Sequence, residues 1–168
     1  MSATRSPNVP SPLLPESEVK EILIEGVGEA GALGGSFVGP GNLSGAVASG
    51  GRSGGKLGAR MFTRVTGQGA VLPIPYSDAA YCALMNALSR VIPIPAPQPC
   101  GAPHPERFLI GVLGTGWLSM NPGLVQTIWY ADRVHITAHA LEGIVNQKSA
   151  ARALDVVREV LAPGAAVN

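Results

Sequence analysis

Glycine is concentrated in one part of this chain. Residues 26–58 hold 13 of the 22 glycines, and glycine loses more conformational freedom on folding than any other residue. We therefore expect this stretch to be a mobile or irregular connector, with fast amide exchange from about Gly31 to Gly55. The core must then come from the segments on either side of it.

Two nucleotide-binding patterns occur in this Gly-rich stretch, and neither has the context it needs. Residues 26–31 spell G-x-G-x-x-G, but a dinucleotide site also needs an acidic residue about 20 positions later. No acidic residue lies between Glu29 and Asp78. Residues 50–56 spell G-x-x-x-x-G-K, yet Leu57 stands where a hydroxyl side chain would hold magnesium. The sequence therefore predicts no bound cofactor.

Charge is scarce and balanced, which bears on the choice of partners. Charged residues make up 14% of the chain, against about 25% in typical domains, and 12 Lys plus Arg oppose 11 acids. Nucleic acid is not an expected partner, since phosphate binding needs a basic surface. Few charges leave apolar surface to be covered, which favours a homo-oligomer or a protein partner.

No membrane association is expected. The longest apolar run, residues 108–118, contains three glycines and is shorter than the roughly 20 residues of a membrane span. The first 15 residues contain no apolar segment typical of a signal peptide, and two cysteines are too few for a disulfide framework. These features favour a cytoplasmic location with reduced thiols.

Composition divides the chain into three parts. Residues 1–17 form a Ser/Pro-rich tail that we expect to be disordered, and residues 163–168 form a short C-terminal tail. Between them, residues 18–162 are predicted to form one α+β domain. This domain contains the Gly-rich segment at 26–58 and a Pro-rich connector at 93–105, whose prolines exclude a central strand.

The predicted architecture is an antiparallel sheet of about four to five strands with two helices packed on one face. We expect strands at residues 21–25, 60–66, 108–113, 124–130 and 134–141, and a turn at 68–69. One helix is expected at 78–90, capped by Ser77, and another at 147–161, capped by Asn146. The first helix should bury Tyr81, Leu84, Met85 and Leu88.

The last two strands form a predicted hairpin, which contains the candidate functional residues. A three-residue loop at 131–133 would place Trp129, His135 and His139 on one outward face of the sheet. Trp129 would then anchor a contact surface, to which we add Trp117 as a candidate. The alternative is that another element buries this face, and a loop of two or four residues would change which side chains share it.

These features favour a non-enzymatic binding or assembly module. The alternative is a small-molecule pocket or an enzyme that uses His135 or His139 with Trp117. A metal site is not expected, because four residues along a strand separate the two histidines by about 13 Å. Cys82 is expected to be a buried structural thiol. An enzyme should show a cleft with a shifted titrating group, whereas a binding module should show an exposed interaction surface.

Overall fold

The structure, a computed structural model, describes residues 13–36, 53–61, 63–93, 105–115, 121–143 and 148–162. The helices in these ranges are α1 (Glu16–Ser36), α2 (53–61), α3 (Asp78–Ala87) and α4 (Ser149–Leu161). The strands are β1 (Arg64–Leu72), β2 (Arg90–Val91), β3 (Arg107–Thr115), β4 (Asn121–Trp129) and β5 (Val134–Glu142). Residues 94–104 of the predicted Pro-rich connector lie outside the described residues, as does the predicted C-terminal tail.

The five strands form one open sheet in the order β1-β5-β4-β3-β2. Every neighbouring pair is antiparallel. This arrangement suits the short connections between β3, β4 and β5, because parallel neighbours would need long crossover segments. The predicted α+β class with an antiparallel sheet is therefore confirmed.

Side chains alternate between the two faces along each strand, and each face contributes buried side chains to its own core cluster. One face, called here the Trp129 face, carries Val125 and Trp129 and packs with apolar side chains of α3 and α4. The opposite face, called the Leu124 face, carries Ile110 and Leu124 and packs with Leu14 and α1. The sheet thus has helices on both sides.

Residues 21–25, predicted to be a strand, lie inside α1, so that prediction is wrong. A short apolar run fits the buried side of either element. Val19 and Leu23, four residues apart, are both fully buried, which is the spacing of one helix face. Leu14 is also buried. Residues 13–17, assigned to the tail from composition, therefore belong to the packed structure.

The expected irregular conformation of the Gly-rich stretch is wrong where the structure describes it. Residues 26–36 lie in α1 and residues 53–58 in α2, while residues 37–52 lie outside the described residues. A Cβ on Gly26 would lie 3.0 Å from the Pro122 Cβ, and one on Gly28 would lie 2.6 Å from the Lys56 Cε. These glycines let α1 approach β4 and α2 closely, and packing offsets their entropic cost.

Helix α3 begins where the sequence predicts. Ser77 is its N-cap and accepts a hydrogen bond from the Ala80 backbone N–H at 3.2 Å. Leu84 is fully buried, as expected, but Met85 is 37% exposed. Cys82 is also exposed, so its assignment as a buried thiol is wrong. Fewer apolar side chains of α3 are therefore buried than its composition suggests.

The loop between β4 and β5 spans residues 130–133, one residue more than predicted. A backbone hydrogen bond of 2.8 Å joins its first and last residues. Trp129 consequently pairs with Val134. Shifting a strand by one residue exchanges its two faces, so Trp129 lies on the opposite face from His135 and His139.

The start of α4 also differs from the prediction. Its N-cap is Lys148, in the left-handed conformation with φ 54, and not Asn146. The Glu142 Oε1 accepts a 2.6 Å hydrogen bond from the Ser149 N–H. A carboxylate at the end of β5 thus stabilises the positive end of this helix.

Candidate functional site

The outer edge of β1 is an open strand edge in the described part of the chain. There β1 pairs only with β5. It is nine residues long, contains no proline and carries one charged residue, Arg64. An antiparallel strand directs alternate backbone N–H and C=O groups to each side, so the outer side presents groups that can pair with another strand.

The two edges of the sheet differ in length. At the far edge, β2 has only two residues, Arg90 and Val91, which pair with Val112 and Gly111. Very short edge strands are one way in which proteins prevent sheet extension. The edge strand β1, with nine residues, is not protected by shortness in this way.

The side chains of β1 join the edge to the core. Ala70 and Leu72 pack on the Trp129 face, and Val65 packs on the Leu124 face. Val71 lies on the same face as Val65, since they are six residues apart, but is 45% exposed. Apolar surface on the Leu124 face therefore continues to the rim of the sheet.

Gly67 gives this edge a close contact with His139, its partner across the β1–β5 pair. A Cβ on Gly67 would lie 3.0 Å from the His139 Nδ1. The half-buried imidazole therefore occupies the space beside the glycine. His139 helps to support β1 from within the sheet.

His135 lies on the same face, nearer the hairpin loop. Its ring centroid is 4.9 Å from that of Tyr130. Burial lowers the pKa of His135 below its ordinary value, and the nearby positive charge of Arg133 lowers it further, against the opposite effect of Asp132. Folding thus disfavours the charged form of the His135 imidazole.

Trp129 belongs to the core. Its ring meets those of Tyr76 and Tyr81 edge-on, with centroids 6.1 and 6.4 Å away. Its Nε1 donates a 3.0 Å hydrogen bond to the Thr127 Oγ1, and the side chain has no exposed surface. The predicted grouping of Trp129 with His135 and His139 in one contact surface is therefore wrong, while Trp117 lies outside the described residues.

A cleft of about 490 Å³ lies between the middle of β1 and the start of α4. Its lining is mostly small or polar and consists of Thr66, Gly67, Gln68, Glu142, Lys148, Ala150 and Ala151. Glu142 is 2% exposed and holds the first turn of α4. The cleft thus runs beside the same stretch of β1 that forms the open edge.

Among the described residues, no side chain with a shifted pKa lines this cleft. The pKa of Tyr76 is raised because its hydroxyl donates to Asp78, 2.5 Å away, and because of burial. Neither Tyr76 nor His135 lines the cleft. No group of three or more metal-ligating side chains occurs within the described ranges.

The sequence contains one indication of this strand, which the glycines within it obscure. Residues 64–72 form an uninterrupted stretch without proline, ended by Pro73, and this is typical of a strand. Gly67 and Gly69 suggested a turn at 68–69, but both lie within β1. The prediction of a strand at 60–66 therefore located only the start of β1 at 64–66, and it is wrong for residues 60–61, which lie in α2.

The chain matches no protein-family model, no curated protein and no solved structure. None of the described helices is both long enough and apolar enough to span a membrane.

Proposed function

We propose that this protein is a non-enzymatic assembly module that binds a protein partner by accepting an extended strand at the outer edge of β1. The observation that carries the proposal is the nine-residue strand whose outer side has no pairing partner among the described residues. In strand addition, backbone hydrogen bonds supply the affinity and alternate side chains supply the specificity.

The composition of β1 supports this use. Proteins commonly protect long edge strands with proline, inward charges, bulges or lysine. In β1 the only charge is Arg64, at its first position, and all nine residues pair in continuous register with β5. Exposed Val71 adds apolar surface at the far end. The edge is therefore regular and suited to a further strand.

The alternative function, a small-molecule pocket or enzyme using His135 or His139 with Trp117, has less support. The cleft beside β1 has a volume common among ligand sites. Its lining includes neither histidine. The open edge thus favours assembly over ligand chemistry.

Amide hydrogen exchange on the full chain tests the proposal. The alternate amides of β1 that point away from β5 should exchange quickly in dilute protein. They should slow by at least about tenfold once a strand occupies the edge. The edge is filled in two separate ways, by raising the protein concentration and by adding an excess of a peptide that copies residues 64–72.

The inward amides of β1, which pair with β5, serve as the internal control and should change little in either condition. If the outward amides already exchange as slowly as the inward amides in dilute protein without peptide, the edge is not open and the proposed function is wrong. If they remain fast in both conditions, β1 accepts no strand of its own sequence.

A further inference from the structure

Resting on the proposed function, we propose that the strand that pairs with β1 is β1 of a second copy of this chain. The two strands run antiparallel about a twofold axis at Gln68. Two five-stranded sheets then join into one continuous sheet of ten strands. Such an interface is isologous, because the same surface of each copy forms both halves.

The sequence of β1 is compatible with itself in this register. Directly opposed residues share a face of the sheet, so the pairing can be judged from the residue types. The pairs are Arg64 with Leu72, Val65 with Val71, Thr66 with Ala70, Gly67 with Gly69, and Gln68 with itself. No two like charges meet, and two symmetric pairs of β-branched valines form.

Charge selects the antiparallel arrangement. Arg64 is the only charged residue of β1. In the antiparallel pair the two Arg64 residues lie at opposite ends of the interface, separated by about 27 Å at the usual rise per residue. A parallel pair in register would instead place them side by side, which is destabilising. With a net charge of +1, two copies repel each other only weakly.

The central position suits a twofold axis. Gln68 is exposed, and its side-chain amide is both a donor and an acceptor. Two such amides facing each other can therefore hydrogen-bond reciprocally, which two carboxylates or two ammonium groups cannot do. Gly67 and Gly69 lie on the opposite face, and the nearest side chains of β1 on the face of Gln68 are the small Thr66 and Ala70.

The interface would also cover apolar surface that the single chain leaves in water. Val71 is 45% exposed on the Leu124 face, and Val65 is partly buried on the same face. The twofold register places Val71 of one copy beside Val65 of the other, at both ends of the interface. Burial of these side chains extends the core of the Leu124 face from one copy into the next.

Disulfide trapping in the full chain tests both the partner and the register. Both native cysteines are first removed by Cys82→Ser and Cys100→Ser. In that background Gln68→Cys places two thiols directly opposite each other. Opposed Cα atoms in an antiparallel pair are about 4.5 to 5.5 Å apart, within the range of a disulfide. Mild oxidation with glutathione should convert most of this variant to a covalent dimer.

Thr66→Cys is the matched control, because its two copies would be about 13 Å apart and beyond disulfide reach. It should cross-link weakly alone but efficiently when mixed with the Ala70→Cys variant. Sedimentation equilibrium of the wild type should give twice the 17.2 kDa chain mass. A monomer, or equal trapping at residues 66 and 68, would overturn the second-copy proposal. Protection of β1 by the peptide in a monomeric chain would leave the proposed strand addition intact.

Discussion

Trp129 pairs directly with Val134 across the β4–β5 ladder, and both side chains are fully buried. Removal of the indole would leave a large cavity on the Trp129 face and would remove the Nε1–H that the Thr127 hydroxyl accepts. Trp129→Ala should therefore lower the free energy of unfolding by about 3–5 kcal/mol, as measured by urea denaturation. Trp129→Phe, which keeps an aromatic ring, should cost less. A loss below about 0.5 kcal/mol for Trp129→Ala would show that the ring is exposed.

Two glycines should respond to alanine in opposite directions. A Cβ on Gly111 would lie 2.4 Å from the Leu88 Cδ1 and 2.7 Å from the Arg90 carbonyl oxygen. Gly111→Ala should thus destabilise the chain by about 1–3 kcal/mol, the usual cost of overpacking. A Cβ on Gly58 in α2 would meet nothing within 4 Å. Gly58→Ala should stabilise the chain by roughly 0.5–1 kcal/mol through helix propensity. The melting temperatures of the two variants distinguish these outcomes. Equal changes in melting temperature for Gly111→Ala and Gly58→Ala would contradict the packing of β3 against Leu88.

Glu142, at the end of β5, should stabilise α4 more than an exposed glutamate within α4 does. Its buried carboxylate accepts the Ser149 N–H at 2.6 Å. Glu142→Gln should cost about 1–3 kcal/mol, since it weakens a hydrogen bond to a charged group. Amide exchange in the first turn of α4 should also become faster. Glu159→Gln, on the exposed side of α4, is the control. Equal stability of the two variants would refute the capping role of Glu142.

The lowered pKa of His135 predicts a pH dependence of stability. Burial and Arg133 disfavour the charged imidazole in the folded chain, so the unfolded chain binds more protons near the ordinary pKa of 6.5. Stability should therefore decrease as the pH falls through 6.5 and recover as it rises. His135→Gln should flatten this part of the profile when melting temperature is measured from pH 5 to 8. An unchanged profile in this variant would exclude His135 as the source.

Elements with strong periodicity were predicted well from the sequence. Five apolar residues at helical spacing along α4 are all buried, namely Ala150, Ala153, Leu154, Val157 and Leu161. Ser77 caps α3 as expected. In both helices the apolar stripe recurs at helical spacing over several turns, and such a pattern has few alternatives.

Three features that depend on tertiary contacts were not predicted. The strand expected at residues 21–25 is helical because Val19 and Leu23 pack against the sheet, which a run of five residues does not reveal. The hairpin loop is one residue longer than expected, and this single residue moved Trp129 to the other face. The predicted grouping of Trp129 with His135 and His139 was therefore wrong, although these three residues lie in correctly predicted strands.

The open edge was missed for a similar reason. Gly67 and Gly69 look like turn residues, but within β1 they pair with His139 and Thr137 of β5. The His139 ring lies against Gly67, and this contact between distant parts of the chain supports glycine in a strand. The sequence around Gly67 does not reveal its contact with His139.

Sedimentation velocity of wild type, Gln68→Lys and Asn86→Lys over a range of concentrations shows whether two copies of the chain pair through β1. Both substitutions replace an exposed amide with lysine, but only Gln68→Lys places two like charges at the twofold axis. We expect a dimer for wild type and Asn86→Lys, and a folded monomer for Gln68→Lys whose melting temperature no longer rises with protein concentration. A monomeric wild type, or a dimer that survives Gln68→Lys as well as Asn86→Lys, would contradict it.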